Sequence, residues 1–277
     1  MTASTAPLRV ISYGGGVQST ALIVLAAQGR LDETMGGPAQ DAIFANVGED
    51  SEHPDTLRFV EEVMTPWAGE RGITIHTVRK GLRGGGYGTI AGKMLKEGTL
   101  SYTVPAFNTY GRMALPRGCT EDFKVKPMGI WLRRHGANAG SPAVVAVGFS
   151  TDEWHRATNA RDNPWERRVF PLLDLRLDRA ACMALIARAG LPVPPKSSCY
   201  FCPYHSLITW RALRRDRPDL FAQAASIEAV LHAKLKEREK SPLFLTRYGV
   251  PLPDAIHPAQ QALPGLDDTC DSGHCFL

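Results

Sequence analysis

The sequence predicts an α/β protein with a doubly wound, mostly parallel, Rossmann-like sheet and a helical, cysteine-bearing C-terminal part. Three observations predict it. Short apolar runs alternate with helical patterns from residue 8 to residue 190. A glycine turn at residues 14–16 joins the first apolar run to a helical segment. Ionisable clusters follow three of the apolar runs, as they do where parallel strands end at one sheet edge.

Each predicted element rests on its own pattern. Strands are predicted at residues 10–11, 41–46, 73–78 and 144–148, with a further short strand or extended segment at 169–172. Helices are predicted at residues 21–27, 55–69, 91–98, 128–135, 178–190, 207–217 and 218–240. Asp178 should cap its helix and Gly190 should end it. Residues 100–116, which include Tyr102, Phe107 and Tyr110, are predicted to be irregular or lid-like.

The amino-acid composition limits the classes of protein to which this chain could belong. The chain has 277 residues, of which 44% are hydrophobic and 22% charged, and its net charge of +4 allows an anionic partner without requiring one. No apolar run is long enough to span a membrane, and the N-terminus has no signal-peptide pattern. Six cysteines without such a signal indicate reduced thiols or metal ligands in a cytoplasmic protein. We expect a nucleotide-binding domain at 1–195 and a helical region at 196–277.

The glycine turn is a candidate anion-binding site. A strand, a glycine turn and a helix offer backbone N–H groups and a positive helix end to phosphate. The hydroxyls of Ser19 and Thr20 would cap the helix or donate to phosphate oxygens. The turn lacks the lysine of a P-loop and the spacing of a dinucleotide fingerprint. A turn that serves only βα geometry is the alternative.

Three other clusters are candidates for chemistry. The acidic loop at residues 46–56 could bind ribose hydroxyls or Mg²⁺, or it could simply start the next helix. Glu153 and Arg156 could belong to a site or form a helical ion pair. Lys124 follows Cys119 closely, and cations near a thiol suit an anionic substrate. A modest candidate for polyanion contact is the arginine set Arg211, Arg214, Arg215 and Arg217.

A C-x-x-C pair, Cys199 and Cys202, could bring two thiolates to one metal or cluster, or perform disulfide redox chemistry. Further ligands would be Cys119 and His205. The tail adds Cys270 and Cys275, either of which could be a fourth ligand or a resolving thiol.

Residues 12–20, SYGGGVQST, resemble the PP-loop of ATP pyrophosphatases, usually written S-G-G-x-D-S/T. Gly14 stands where serine is usual, and Gln18 stands where aspartate is usual. The order of the glycine turn, acidic loop, Cys119 segment, Glu153 segment and C-x-x-C pair resembles the phosphoadenosine phosphosulfate (PAPS) reductase family of the PP-loop superfamily. The resemblance covers most of residues 8–220 and implies a sheet of the adenine nucleotide alpha-hydrolase type.

The resemblance implies residue roles. ATP or a related adenine nucleotide, with Mg²⁺, would be bound by Ser12, Gly14, Gly15, Gly16, Gln18, Ser19, Thr20 and Asn46. The implied catalytic residues are Lys124, Glu153 and Arg156. A 4Fe–4S cluster, or alternatively zinc, would be held by Cys119, Cys199 and Cys202.

The leading functional expectation is a sulfurtransferase that adenylates an acceptor, releases pyrophosphate and then thiolates the acceptor. One alternative is a sulfonucleotide reductase with Cys270 or Cys275 as nucleophile. Another is a nucleotide-binding regulatory module with structural zinc. Expected partners are the nucleotide, an anionic small-molecule or nucleic-acid acceptor, and a sulfur donor or thiol reductant. No membrane partner is expected, and a homodimer is left open.

Overall fold

A computed structural model describes residues 7–115, 117–158 and 162–257, which form two compact units. The first unit comprises Met1–Asn46, Pro54–Arg79 and Val125–Ser197, as far as these are described. The second comprises Val47–His53, Lys80–Lys124 and the described chain from Ser198 onward. The chain therefore passes between the units several times, whereas the sequence suggested one boundary at 195/196.

The first unit contains a five-stranded parallel sheet, so the predicted mostly parallel, Rossmann-like arrangement is confirmed. Its strands are β1 (Arg9–Tyr13), β2 (Asp41–Ala45), β3 (Thr74–Val78), β6 (Ala143–Val147) and β7 (Glu166–Val169). They lie in the order β3-β2-β1-β6-β7. In the described part of the chain, two further strands, β4 (Lys80–Gly81) and β5 (Tyr87–Gly88), form a hairpin in the second unit.

Helices cover both faces of this sheet. Ile11 and Phe44 belong to a core that also contains buried residues of the flanking helices on one face. Val10 and Ile43, one residue earlier in the same strands, belong to a separate core with Leu132. Successive strand residues point to opposite faces, so an apolar run without alternation is what burial on both sides requires.

The helices of the first unit are α1 (Val17–Ala27), α2 (Asp32–Met35), α3 (Pro54–Arg58), α4 (Thr65–Gly69), α7 (Lys126–Arg134), α8 (Trp154–Thr158), α9 (Pro171–Asp174) and α10 (Arg179–Arg188). As predicted, the Asp178 carboxylate caps α10 by accepting from the Ala181 N–H at 2.7 Å. Gly190, with φ of +77°, follows its end.

Two wide, π-helical turns interrupt the helical segments, and each is followed two residues later by a proline. Phe59–Met64 precedes Pro66, and Glu121–Val125 precedes Pro127. A proline has no N–H to donate, and its ring crowds the carbonyl four residues back. Widening the preceding turn relieves this crowding, so the helix continues where a break would otherwise occur.

The second unit adds α5 (Ile90–Leu95), α6 (Gly118–Thr120), α11 (Leu207–Asp216), α12 (Pro218–Lys236) and α13 (Leu252–Ala255). Its own core contains Phe123, Phe201, Trp210 and Leu231. Among the described residues, no helix combines the length and apolar character needed to cross a membrane.

Two sequence predictions need correction. The fifth strand is Glu166–Val169, and Pro171 starts a short helix rather than continuing an extended segment, because proline fits the first position of a helix. The helix predicted at residues 128–135 starts earlier, because the chain is already helical from Gly118 onward.

Candidate functional site

The first candidate site lies where the strand order of the sheet reverses. Strands β2 and β3 follow β1 on one side, whereas β6 and β7 lie on its other side. The glycine turn follows β1, and residues 148–153 follow β6. In open α/β sheets ligands bind at this reversal, beyond the carboxyl ends of the strands.

Two glycines allow the backbone to pack closely here. Gly15 has φ of +74°, and a Cβ on it would lie 2.8 Å from Thr56 Cγ2. A Cβ on Gly148 would lie 3.0 Å from the backbone N of Ser19. Neither position has room for a side chain, so the end of β6 approaches the first turn of α1 directly.

The N-terminus of α1 is free of side-chain caps. Gly16 precedes the helix, no side chain caps it, and its first turn has no acidic residue. The Ser19 hydroxyl accepts from Gly14 N–H at 3.1 Å and donates to Gly16 O at 3.1 Å, and the Ser197 hydroxyl donates to Gly14 O. The first N–H groups of a helix have no intrahelical acceptor, and the helix dipole is positive at this end. This arrangement is suited to an anion.

Other predicted nucleotide residues are less accessible. Thr20 is fully buried. Burial raises the pKa of the neighbouring Tyr13, and the Thr20 side chain partly opposes this rise. That Thr20 donates to phosphate, as the sequence predicts, stays a prediction. Ser12 is a half-buried residue of β1, and Asn46 is a buried residue that follows β2.

Gln18 joins three segments of the first unit. Its Nε2 lies 3.4 Å from both Ser150 Oγ and Glu153 Oε2, and its Oε1 accepts from Arg179 Nη1 at 3.4 Å. Glu153 Oε1 also pairs with Arg156 Nη1 at 2.6 Å. An amide both donates and accepts, whereas an aspartate at this position would place a second carboxylate close to Glu153. The predicted residues Gln18, Glu153 and Arg156 thus meet.

Sequence reasoning did not identify Arg179 as a member of this cluster. Arg179 donates its backbone N–H to Asp152 Oδ2 at 2.7 Å, and its side chain reaches Gln18. Ser150, which Gln18 contacts, is fully buried. Arg179 directly follows the predicted cap of α10, but nothing in its local sequence indicates a contact with a residue 161 positions away.

The second candidate site is a group of thiols in the second unit. Cys199 forms an isolated β-bridge with Glu52, and the Cys202 N–H donates to Cys199 O at 3.0 Å. Cys119 and Cys199 pack against the core of this unit. Cys202 and Cys119 both raise the pKa of Cys199, so the three predicted metal ligands are electrostatic neighbours.

Burial keeps two of these thiols protonated. Burial raises the pKa of Cys199 well above its usual range, Glu52 raises it further, and Lys124 opposes the change. Burial also raises the pKa of Cys202, against the opposing effects of the Tyr204 N–H and Arg117. A neutral thiol is a poor nucleophile, and a metal would have to displace its proton in order to bind.

Glu52 is the residue of this site that the sequence did not identify. It is fully buried, and neither carboxylate oxygen has a hydrogen-bond partner in the described part of the chain. Burial raises its pKa, and the charge of Lys124 lowers it. The sequence placed Glu52 in an acidic loop that could bind ribose hydroxyls or Mg²⁺ or simply start the next helix, and this stays a prediction. In the structure Glu52 is bridged to Cys199 and is affected by the charge of Lys124.

Lys124 is electrostatically coupled to this carboxylate. Burial alone would lower the pKa of Lys124, but Glu52, then Cys199 and Cys119, raise it above its usual value. Lys124 is therefore cationic, as its predicted role with an anionic substrate requires. The effect of the Glu52 charge on Lys124 had not been expected.

The donor set suits iron or zinc, since thiolates are preferred ligands of both. In the described ranges, however, no group of three or more His, Cys, Asp or Glu side chains is placed to hold a metal ion. His205 Nε2 lies 2.9 Å from Ser198 Oγ, and its ring packs edge-on against Trp210. Cys270 and Cys275 lie outside the described residues.

Comparison with known proteins adds no assignment. A scan against models of protein families finds no match, and a search of curated proteins finds none either. The two candidate sites are therefore judged by their own geometry and chemistry.

Proposed function

We propose that this chain is a PP-loop enzyme with a sheet of the adenine nucleotide alpha-hydrolase type, and that it transfers sulfur to an acceptor activated by ATP. The observation that carries the proposal is the uncapped N-terminus of α1, which follows a glycine turn at the reversal of the sheet order. Such a position favours the phosphates of a nucleotide.

The first unit would bind the triphosphate. Backbone N–H groups after Gly15 would receive phosphate oxygens, while Ser19 holds the turn in shape. Arg156 and Arg179 supply positive charge in the same cluster. Mg²⁺ would arrive with the phosphates, as it commonly does, and Asp152 or Glu153 could join its water shell.

The proposed reaction has two steps. An oxygen of the acceptor attacks the α-phosphorus of ATP, the bond to the bridging oxygen breaks, and pyrophosphate leaves. A sulfur nucleophile then attacks the activated carbon, and AMP departs with the original oxygen. Fixed N–H dipoles at α1 would stabilise the negative charge on the departing pyrophosphate.

The second unit would supply the sulfur chemistry. Cys119, Cys199 and Cys202 would hold a 4Fe–4S cluster, which would supply the chemistry of sulfur transfer when bound. Lys124 is a fixed cation beside these thiols and would favour their ionised form. Reduced thiols agree with a cytoplasmic setting, and zinc is the alternative metal.

Elemental analysis tests the metal part of the proposal. Iron, zinc and acid-labile sulfide are measured after anaerobic purification of wild type, Cys199→Ala and the control Cys182→Ala. Cys182 is a buried residue of the first unit's core. We expect iron with matching sulfide in wild type and control, and loss of both in Cys199→Ala. Zinc without sulfide, or no metal in any variant, would overturn the cluster assignment.

Nucleotide binding tests the other part. Calorimetry with ATP should show Mg²⁺-dependent binding in wild type and weaker binding in Ser19→Ala. Pyrophosphate release is then followed with candidate acceptors, both nucleic acids and small molecules. Failure of wild type to bind any adenine nucleotide would contradict the proposal independently of the metal result.

A further inference from the structure

Two surface turns of the second unit each present an exposed tyrosine. Tyr110 lies in the turn at residues 108–112 and is 88% exposed, and Tyr248 lies in the turn at residues 247–250 and is 52% exposed. We call these two turns the tyrosine turns. Exposed aromatic rings are hydrated at a cost, so a rigid pair of them suggests a partner.

The tyrosine turns pack against each other through reciprocal glycines. A Cβ on Gly111 would lie 2.4 Å from Arg247 O, and a Cβ on Gly249 would lie 2.3 Å from Thr109 O. Each glycine thus abuts the carbonyl that precedes the tyrosine of the other turn. Both glycines have positive φ, +72° and +68°, which other residues adopt only with strain. The two rings therefore project from one joined piece of backbone.

Buried groups hold this pair of turns in place. The backbones of Phe107 and Phe244 exchange two hydrogen bonds, at 2.9 and 2.8 Å. The buried Glu228 carboxylate accepts from the N–H groups of Leu245 at 2.8 Å and Leu252 at 2.5 Å. A surface anchored in this way loses little conformational entropy on binding.

Positive charge accompanies the rings. Arg112 and Arg247 are exposed and lie in the same two turns. Arginines also lie at the end of α11: Arg214 donates to Pro253 O at 3.0 Å, Arg215 pairs with Asp216, and Arg217, which follows the helix, pairs with Asp219. Each tyrosine turn therefore carries one exposed arginine within two residues of its tyrosine.

We propose that the tyrosine turns bind a single-stranded nucleic acid, with bases stacked on Tyr110 and Tyr248 and phosphates near Arg112 and Arg247. Aromatic platforms flanked by cations bind single strands in this manner. The inference deepens the proposed function by naming a nucleic acid as the acceptor, and in that respect it rests on that function. Binding itself requires neither ATP nor a metal.

Fluorescence anisotropy with labelled oligothymidylate and oligouridylate tests the proposal, and the two probes separate DNA from RNA. Tyr110→Ala and Tyr248→Ala should each weaken binding about tenfold, whereas the Phe variants should retain it because the stacking face remains. Tyr87→Ala is the matched control, since Tyr87 is 65% exposed in the β4–β5 hairpin. Arg112→Gln and Arg247→Gln should reduce the dependence of affinity on salt.

Each outcome is decisive. Absence of wild-type binding to both probes, or equal affinity in wild type and both Ala variants, would overturn the proposal. Loss of binding in the Phe variants as well would overturn base stacking. ATP binding is measured on the same preparations. Oligonucleotide binding without ATP binding would contradict the proposed function and the acceptor role but leave the nucleic-acid surface standing. ATP binding without oligonucleotide binding would overturn that surface and leave the proposed function standing.

Discussion

At the scale of single residues, Gly15 shows how strictly the glycine turn is constrained. Its φ is +74°, and the space where a Cβ would stand is occupied by Thr56 and Val60 side chains. The positive φ and the lack of space for a Cβ therefore each require glycine at this position. Experiment can separate these two requirements. Gly190 provides the comparison, since it has φ of +77° but a Cβ added there would meet nothing within 4 Å.

We expect Gly15→Ala to lower the free energy of unfolding by about 3 kcal/mol, and Gly190→Ala by about 1 kcal/mol. The smaller value reflects backbone strain, and the difference reflects steric overlap with Thr56. Urea denaturation of both variants measures the two changes. Equal losses would mean that the turn adjusts to accommodate the methyl group.

Glu52 is unusual because it is fully buried, whereas carboxylates are rarely fully buried unless they are paired. The opposite charge that acts on Glu52 is that of Lys124, whose side chain is half-buried. Glu52→Gln leaves that cation without its anion, so we expect a loss of about 1–3 kcal/mol in the free energy of unfolding, the cost of a buried polar group that has lost its partner. Glu49→Gln, in an exposed residue of the same loop, should have little effect.

A double-mutant cycle with Lys124→Met tests whether the loss of stability in Glu52→Gln comes from its interaction with Lys124. Lys124→Met in the Glu52→Gln background should cost less than the same change in wild type, because the interaction is already lost. Additive losses would show that Glu52 and Lys124 do not interact energetically.

At the scale of elements, α12 supports a loop that has no regular structure. Its buried Glu228 accepts two backbone N–H groups of the segment that carries Tyr248. Glu228→Ala leaves both donors buried without an acceptor, so we expect a loss of about 2–4 kcal/mol in stability. Glu237→Ala, in an exposed residue at the end of the same helix, is the control. Hydrogen exchange of the Leu245 and Leu252 amides locates the change.

Glu228 should also affect the dependence of stability on pH. Burial raises its pKa in the folded state, although the N–H groups of Leu245 and Leu252 partly oppose this. The folded chain then holds the proton more tightly than the unfolded chain, so stability falls as pH rises from the unfolded pKa through the raised one. Glu228→Gln should reduce this fall in denaturation curves collected at several pH values. An unchanged slope would assign it to other groups.

At the scale of the whole molecule, each unit has its own apolar core. If the proposed nucleotide site is correct, ATP with Mg²⁺ binds only the folded first unit and shifts its unfolding equilibrium. At a free concentration of one hundred times Kd we expect about 2.7 kcal/mol of added stability. Arg179→Gln should reduce the shift, because Arg179 contributes charge to the cluster. Thermal denaturation with and without ATP measures it, and no shift in wild type would contradict the site.

The sequence by itself determined the elements that depend on local patterns. The parallel sheet, the glycine turn before α1 and the Asp178 cap follow from apolar runs, turn residues and capping chemistry, all within a few neighbouring positions. The wide turns before Pro66 and Pro127 have a local cause as well, but their effect on helix geometry became clear only in the structure.

Only the tertiary structure decided which distant residues meet. The contact of Gln18 with Arg179, the burial of Glu52 beside Cys199 and the reciprocal packing of Gly111 and Gly249 join segments far apart in the chain. Local composition marks Glu52 as a surface residue and Tyr110 as part of an irregular loop. Their actual surroundings depend on strand order and loop packing, because burial and electrostatics are set by neighbours in space rather than in sequence.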